Sequence, residues 1–129
     1  MKTKMTNREL ETQLSRLERI SDDKTVLPIK VSYRIIQNTL VMRKALEAYI
    51  ISKDHIIEKY SDGKGSITEV DDPVMFKKAC TEIAQIASEK VELDISTITL
   101  EEFETDRLPF DVISALGFMI IDTKQIGGI

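Results

Sequence analysis

The feature that most constrains this chain is one long apolar repeat. Ile35, Met42, Tyr49 and Ile56 recur at intervals of seven, and Leu46 and Tyr60 widen the stripe. Ile36, Leu40, Ile50 and Ile57 form a second apolar row beside it. Residues three, four and seven apart share one side of a helix, so the pattern predicts a helix from about Lys30 to Tyr60. About thirty helical residues extend ~45 Å, more than a compact domain of 129 residues needs. Either the helix projects from the body or it breaks near Ser52-Lys53-Asp54. A face two rows wide also asks for more than one neighbouring helix.

The flanking segments supply helices to meet it, but the two-row face of residues 35–57 exceeds what the short first helix can cover, which predicts self-association. Thr6-Asn7-Arg8-Glu9 has the capping-box form, and Leu10, Leu14, Leu17 and Ile20 follow at helical spacing, predicting a helix from about Asn7 to Ser21. A polar connection, Ser21 to Thr25, and Leu27-Pro28 separate it from the long helix. Ser61-Asp62-Gly63-Lys64-Gly65-Ser66 is a turn, with two glycines free to take positive φ. Asp72-Pro73 then starts a third helix, as N-cap and first helical residue. Its apolar face reads Phe76, Cys80, Ile83, Ala84 and Ala87, and its antiparallel partner is the second half of the long helix.

After Lys90 the period changes to two. Val91, Leu93 and Ile95 fall on one face of a strand, Glu92 and Asp94 on the other. Lys2 to Met5 and Ile67 to Val70 are further strand candidates. Thr99-Leu100-Glu101-Glu102 repeats the capping signature, with acids where a helix's first turn favours them. Leu108-Pro109 starts a short C-terminal helix through Val112, Ile113, Leu116 and Ile120. The expected fold is mainly α with a small β element, one domain over 1–122 and a frayed tail over 123–129.

Composition narrows the function classes. The net charge of −4 disfavours general nucleic-acid binding, which needs a concentrated positive surface. Lys30, Arg34, Arg43 and Lys44 cluster in sequence but read as the solvated side of the long helix. The start MKTKMTNRE lacks the apolar core of a signal peptide, and no apolar run approaches the ~20 residues that span a bilayer. The single cysteine, Cys80, excludes an intrachain disulfide and offers no metal-ligand spacing.

No recognisable enzyme motif is present, and no catalytic residue, cofactor or metal is expected. The acid-rich stretch KVELDISTITLEEF invites a carboxylate-site reading, but alternation leaves Glu92 and Asp94 hydrated on the outer face of a strand. The Gly63–Ser66 turn fails as a phosphate loop, because Lys64 lies between the glycines and the flanking elements are wrong. His55 and Cys80 would approach if the helical hairpin closes, yet Cys80 sits on an apolar face, where free cysteine behaves as a small hydrophobe. Contact residues are the better prospect: Tyr33, Arg34, Met42, Arg43, Tyr49, Ile50, Ile57 and Tyr60 are the candidates for meeting a partner. For the methionines and tyrosines the competing role is filling gaps in the core. A small-ligand site, for a nucleotide signal, would need Arg or Lys clustered with Tyr or Phe; Arg34, Tyr33, Arg43 and Lys44 are the nearest approach to that.

With the segments placed, the order resembles a widespread family of small uncharacterised proteins encoded by phages and prophages. The matching features are Lys2-Thr3-Lys4-Met5-Thr6-Asn7-Arg8-Glu9-Leu10, Leu27-Pro28-Ile29-Lys30-Val31-Ser32-Tyr33-Arg34 and Ile56-Ile57-Glu58-Lys59-Tyr60 with the charged turn after it. Val91-Glu92-Leu93-Asp94-Ile95 followed by Leu100-Glu101 completes the pattern, which covers nearly the whole chain. The resemblance carries no activity and no site. It implies a phage product that works through protein contacts, in virion assembly or against the host, in the cytoplasm of an infected bacterium or in the virion. The partner is then another protein, of host or phage, or a second copy of the chain.

Overall fold

A computed structural model of the chain describes residues 1–22, 27–103 and 109–121. It is mainly helical with a small β element, as the periodicity predicts. Strand β1 (Lys2–Thr6) leads directly into helix α1 (Asn7–Asp22), and the long helix α2 (Ile29–Ser61) is continuous across Ser52-Lys53-Asp54. Helix α3 (Pro73–Ala87) is followed by β2 (Lys90–Asp94), β3 (Ile98–Thr99) and a 3-10 turn over Leu100–Phe103. Helix α4 (Phe110–Leu116), a second 3-10 turn (Gly117–Met119) and β4 (Ile120–Ile121) complete the described chain, and the proposed tail lies outside the described residues.

At 33 residues α2 is about 50 Å long and organises the fold. Its inner face buries Val31, Ile35, Met42, Leu46 and Tyr49. The stripe Leu10, Leu14, Leu17 and Ile20 of α1 packs against it, joined by Leu93, Ile95, Ile98, Phe103, Val112, Leu116 and Met119 in one core. Beyond Tyr49 no apolar residue of α2 is fully buried, so this end forms a two-helix arm with α3. The arm's turn uses positive φ at Asp62 (55°), Gly63 (79°) and Gly65 (79°), and the Gly63 N–H donates to the Glu58 carbonyl at 3.1 Å.

The capping signals work where helices follow them. The Thr6 hydroxyl accepts from the Glu9 N–H at 3.1 Å, and the Asp72 carboxylate accepts from the Met75 N–H at 3.1 Å. Strands β1 and β2 pair antiparallel, with Thr3 opposite Leu93 and Met5 opposite Val91. Leu93 and Ile95 enter the core, Val91 is half-buried, and Glu92 and Asp94 face out.

Four expectations need correction. Residues Ile67 to Val70 form no strand: the Thr68 hydroxyl accepts from the Asp71 N–H and its carbonyl from the Asp72 N–H, both at 3.1 Å, making a turn into α3. Among the described residues the capping signature at Thr99 opens a 3-10 turn, not an α-helix, over Leu100–Phe103, with Phe103 buried in the core. The C-terminal helix stops at Leu116; after Gly117 the β-branched pair Ile120-Ile121 extends and joins Ile98-Thr99 in a short parallel pair. On α3 the buried positions are Ala79 and Ala87, which turns Cys80 out to solvent. The second apolar row of α2, by contrast, is left largely uncovered by the chain itself, as a face too wide for the short first helix requires: Ile36, Leu40 and Ile50 are exposed.

Candidate functional site

The residues expected to meet a partner separate into distinct sets. Met42 and Tyr49 lie in the core, so the core-filling role holds for both and neither presents a contact surface. Their intervals of seven place them on the face that α1 covers. Arg34 is half-buried and ion-paired with Glu102 on the first 3-10 turn, which ties α2 to that segment. Arg43 pairs with Glu18 of α1 at 2.8 Å. The two arginines therefore serve opposite flanks of α2: Tyr33 and Arg34 share one hollow with Lys30, while Arg43 is held against α1 away from it.

Tyr60 takes part in a polar clasp at the far end of the arm. Lys59 donates to Glu82 of α3 at 3.2 Å, and its ammonium lies 4.8 Å from the centre of the Tyr60 ring. Hydrogen bonds from Tyr60 first and Lys59 second hold the Glu82 carboxyl below its ordinary range. The bond to Glu82 first and that to Tyr60 second hold Lys59 above its ordinary range. A lowered carboxylate adds stability above its unfolded-state pKa and loses it as pH falls through the folded value. A raised ammonium adds stability below its unfolded-state pKa and loses it as pH rises through the folded value. The clasp therefore works between the ordinary values of 4.5 and 10.5. Glu82→Gln lowers the melting temperature slightly at neutral pH, and the difference from wild type closes in acid; thermal melts across pH check this.

What remains is a continuous exposed row on α2. Ile29, Tyr33, Ile36 and Leu40 are 82%, 61%, 56% and 59% exposed, directly opposite the buried stripe. Their spacing of four, three and four keeps them on one line over three turns. Ile29, Tyr33 and Ile36 border an open hollow of about 460 Å³ whose other walls are Lys30, Ser32, Arg34 and Gln37. Ile50 and Ile51 prolong the apolar surface beyond the charged residues Arg43 and Glu47. Ile57 is half-buried against the arm.

The acidic strand makes no converging site: Glu92 pairs with Lys2 across the sheet at 3.7 Å, and both side chains are more than half exposed. Among the described residues no group of three or more His, Cys, Asp or Glu is arranged to hold a metal ion. His55 is exposed and borders an open hollow with Glu58, Lys59 and Asp62, and Cys80 is not among its walls. No described helix is long and apolar enough to cross a membrane.

Two features are absent from the residue-level expectations. Asn38 is fully buried on the inner face of α2. Its amide donates to the Ser96 carbonyl at 2.9 Å and accepts from the Ser96 N–H at 2.7 Å. The signal available was a polar residue between Ile35 and Met42, inside an otherwise apolar stripe. The other feature is the outward row of arginines on α1, visible only once Glu11 and Glu18 of that helix are seen to face α2. Comparison with known proteins adds no identity: no family model, no curated protein and no solved structure matches the chain.

Proposed function

We propose that this chain is a non-enzymatic phage accessory protein that acts by protein–protein contact. Its task is to inhibit a host or defence protein or to serve as a virion or assembly component, in the infected cytoplasm or the virion. The phage context rests on the resemblance of the opening segment, the Leu27-Pro28 segment and the Val91 strand described above. The contact face is the outer row of α2, and its first occupant is a second copy of the chain.

The observation that carries this reading is the exposed row itself. Four large apolar side chains in one line, opposite a face that is already buried, form a contiguous patch of a kind that monomers seldom leave in water. The spacing of four, three and four is also the seam spacing of paired helices. At the next seam positions Arg43 and Glu47 replace apolar residues, which keeps the seam short and fixes where a partner helix ends. A symmetric pair covers both copies of the row with one self-complementary surface.

Ile36→Glu and Leu40→Glu test the reading. Both positions are exposed, so each substitution changes folding stability by only about 0.5 kcal/mol in the monomer. Each is expected to move the protein to the monomer position in size exclusion. Unchanged elution of both variants at an oligomer position would remove the outer row from consideration.

A further inference from the structure

The charges of α1 are sorted by side. Glu11 and Glu18 point toward α2 and pair with Lys53 at 3.2 Å and Arg43 at 2.8 Å. Arg8, Arg16 and Arg19 lie on the other side, all exposed, with no ion-pair partner among the described residues. Lys4 of β1 extends the row and is likewise unpaired among the described residues. On a chain of net charge −4 this is a local concentration of positive charge.

Two open hollows flank the row, of about 440 and 550 Å³. Each has a phenylalanine in its wall: Phe110, 84% exposed, in the first, and the half-buried Phe118 in the second. Arg16 borders both. Each hollow also holds one carboxylate, Asp111 in the first and Glu9 in the second.

We infer that this face binds an acidic segment of a partner protein, in extended form, with carboxylates on the arginines and apolar side chains against the two phenylalanines. Three properties point to that occupant. The hollows are open, which suits a chain lying across them better than an enclosed small molecule. Arg8 to Arg19 spans about 16 Å, the reach of about five extended residues. The carboxylates of Glu9 and Asp111 repel a strand with a phosphate at every unit, whereas a peptide can set an apolar or donor group beside them. Arginine's planar fork pairs with carboxylates through two parallel bonds. The surface is separate from the outer row of α2, so either can fail without the other.

The test is fluorescence anisotropy at low salt with a labelled peptide of about ten residues, Glu alternating with Leu and Ser, beside a labelled oligothymidylate of equal length. The peptide is expected to bind saturably and to weaken as salt is added. Arg16→Glu and Arg19→Glu, both at exposed positions, are each expected to weaken it about tenfold or more, equivalent to about 1.4 kcal/mol. Phe110→Ala weakens it several-fold, and Lys44→Glu on α2 leaves it unchanged. Tighter binding of the oligothymidylate, equal binding by the Arg16 and wild-type proteins, or no saturable peptide binding overturns the inference.

Discussion

Asn38→Leu is expected to lower the unfolding free energy by about 2–5 kcal/mol, although the new side chain is more apolar and similar in size. The Asn38 amide closes a two-bond ring with the Ser96 backbone, donating to its carbonyl and accepting from its N–H. It also lies 3.3 Å from the Met119 sulfur, so one side chain links α2, the β2–β3 connection and the C-terminal segment. Leucine leaves two backbone groups without partners in a partly buried position, and each such loss costs about 1–3 kcal/mol. Urea unfolding measures the effect. Stability equal to wild type would show that the apolar gain outweighs the lost pairing and that Ser96 finds water instead.

Leu93→Ala is expected to cost about 2–5 kcal/mol, as buried leucines do. Leu93, the fourth residue of β2, is buried in the core, and β2 packs on α2. Its neighbours Glu92 and Asp94 face solvent, so the double Ser variant changes stability by only about 0.5 kcal/mol per site. Adding calcium or magnesium is expected to leave the melting temperature of both proteins unchanged, because nothing bound to the native state then needs to be released on unfolding. A metal-dependent rise that disappears in the double Ser variant would make the strand's acids a binding site. The contrast between Leu93 and its neighbours is the strand's alternation expressed as energy.

Elements long enough to carry their own period or cap were legible in the sequence. The stripe Leu10, Leu14, Leu17 and Ile20 is buried as its period requires, and the period-two run from Val91 paired with the segment Lys2 to Met5. Asp72-Pro73 capped a helix because both the side chain and the fixed φ act locally. Elements too short to show a period, or decided by packing, were not legible. The parallel pair of Ile98-Thr99 with Ile120-Ile121 joins segments about twenty residues apart, and nothing local marks it. The placement of Cys80 turned on the small Ala79, buried where α3 packs mainly on α2, a side the larger residues did not indicate. Thr68 won over the strand propensity of Ile67 and Val70 because Val70 had no face to bury.

The contact surface was legible only in part, for a related reason. Periodicity shows that α2 has two apolar rows but not which one the rest of the chain covers. Met42 and Tyr49 proved to belong to the covered row, while Tyr33 and Ile50 stayed outside it. Arg34 and Arg43 looked available because their partners Glu102 and Glu18 lie far away in sequence. Helical spacing finds faces; only packing decides which of them is left over.

The central claim, that the left-over row of α2 is a contact face, is tested most directly by sedimentation of the unaltered protein. Runs from dilute solution to about 100 μM cover the range in which a modest self-interface is populated. The predicted result is a mass that rises with concentration above the 14.7 kDa of one chain and that stays at that value for Leu40→Glu. A constant 14.7 kDa for both proteins over the whole range would contradict it.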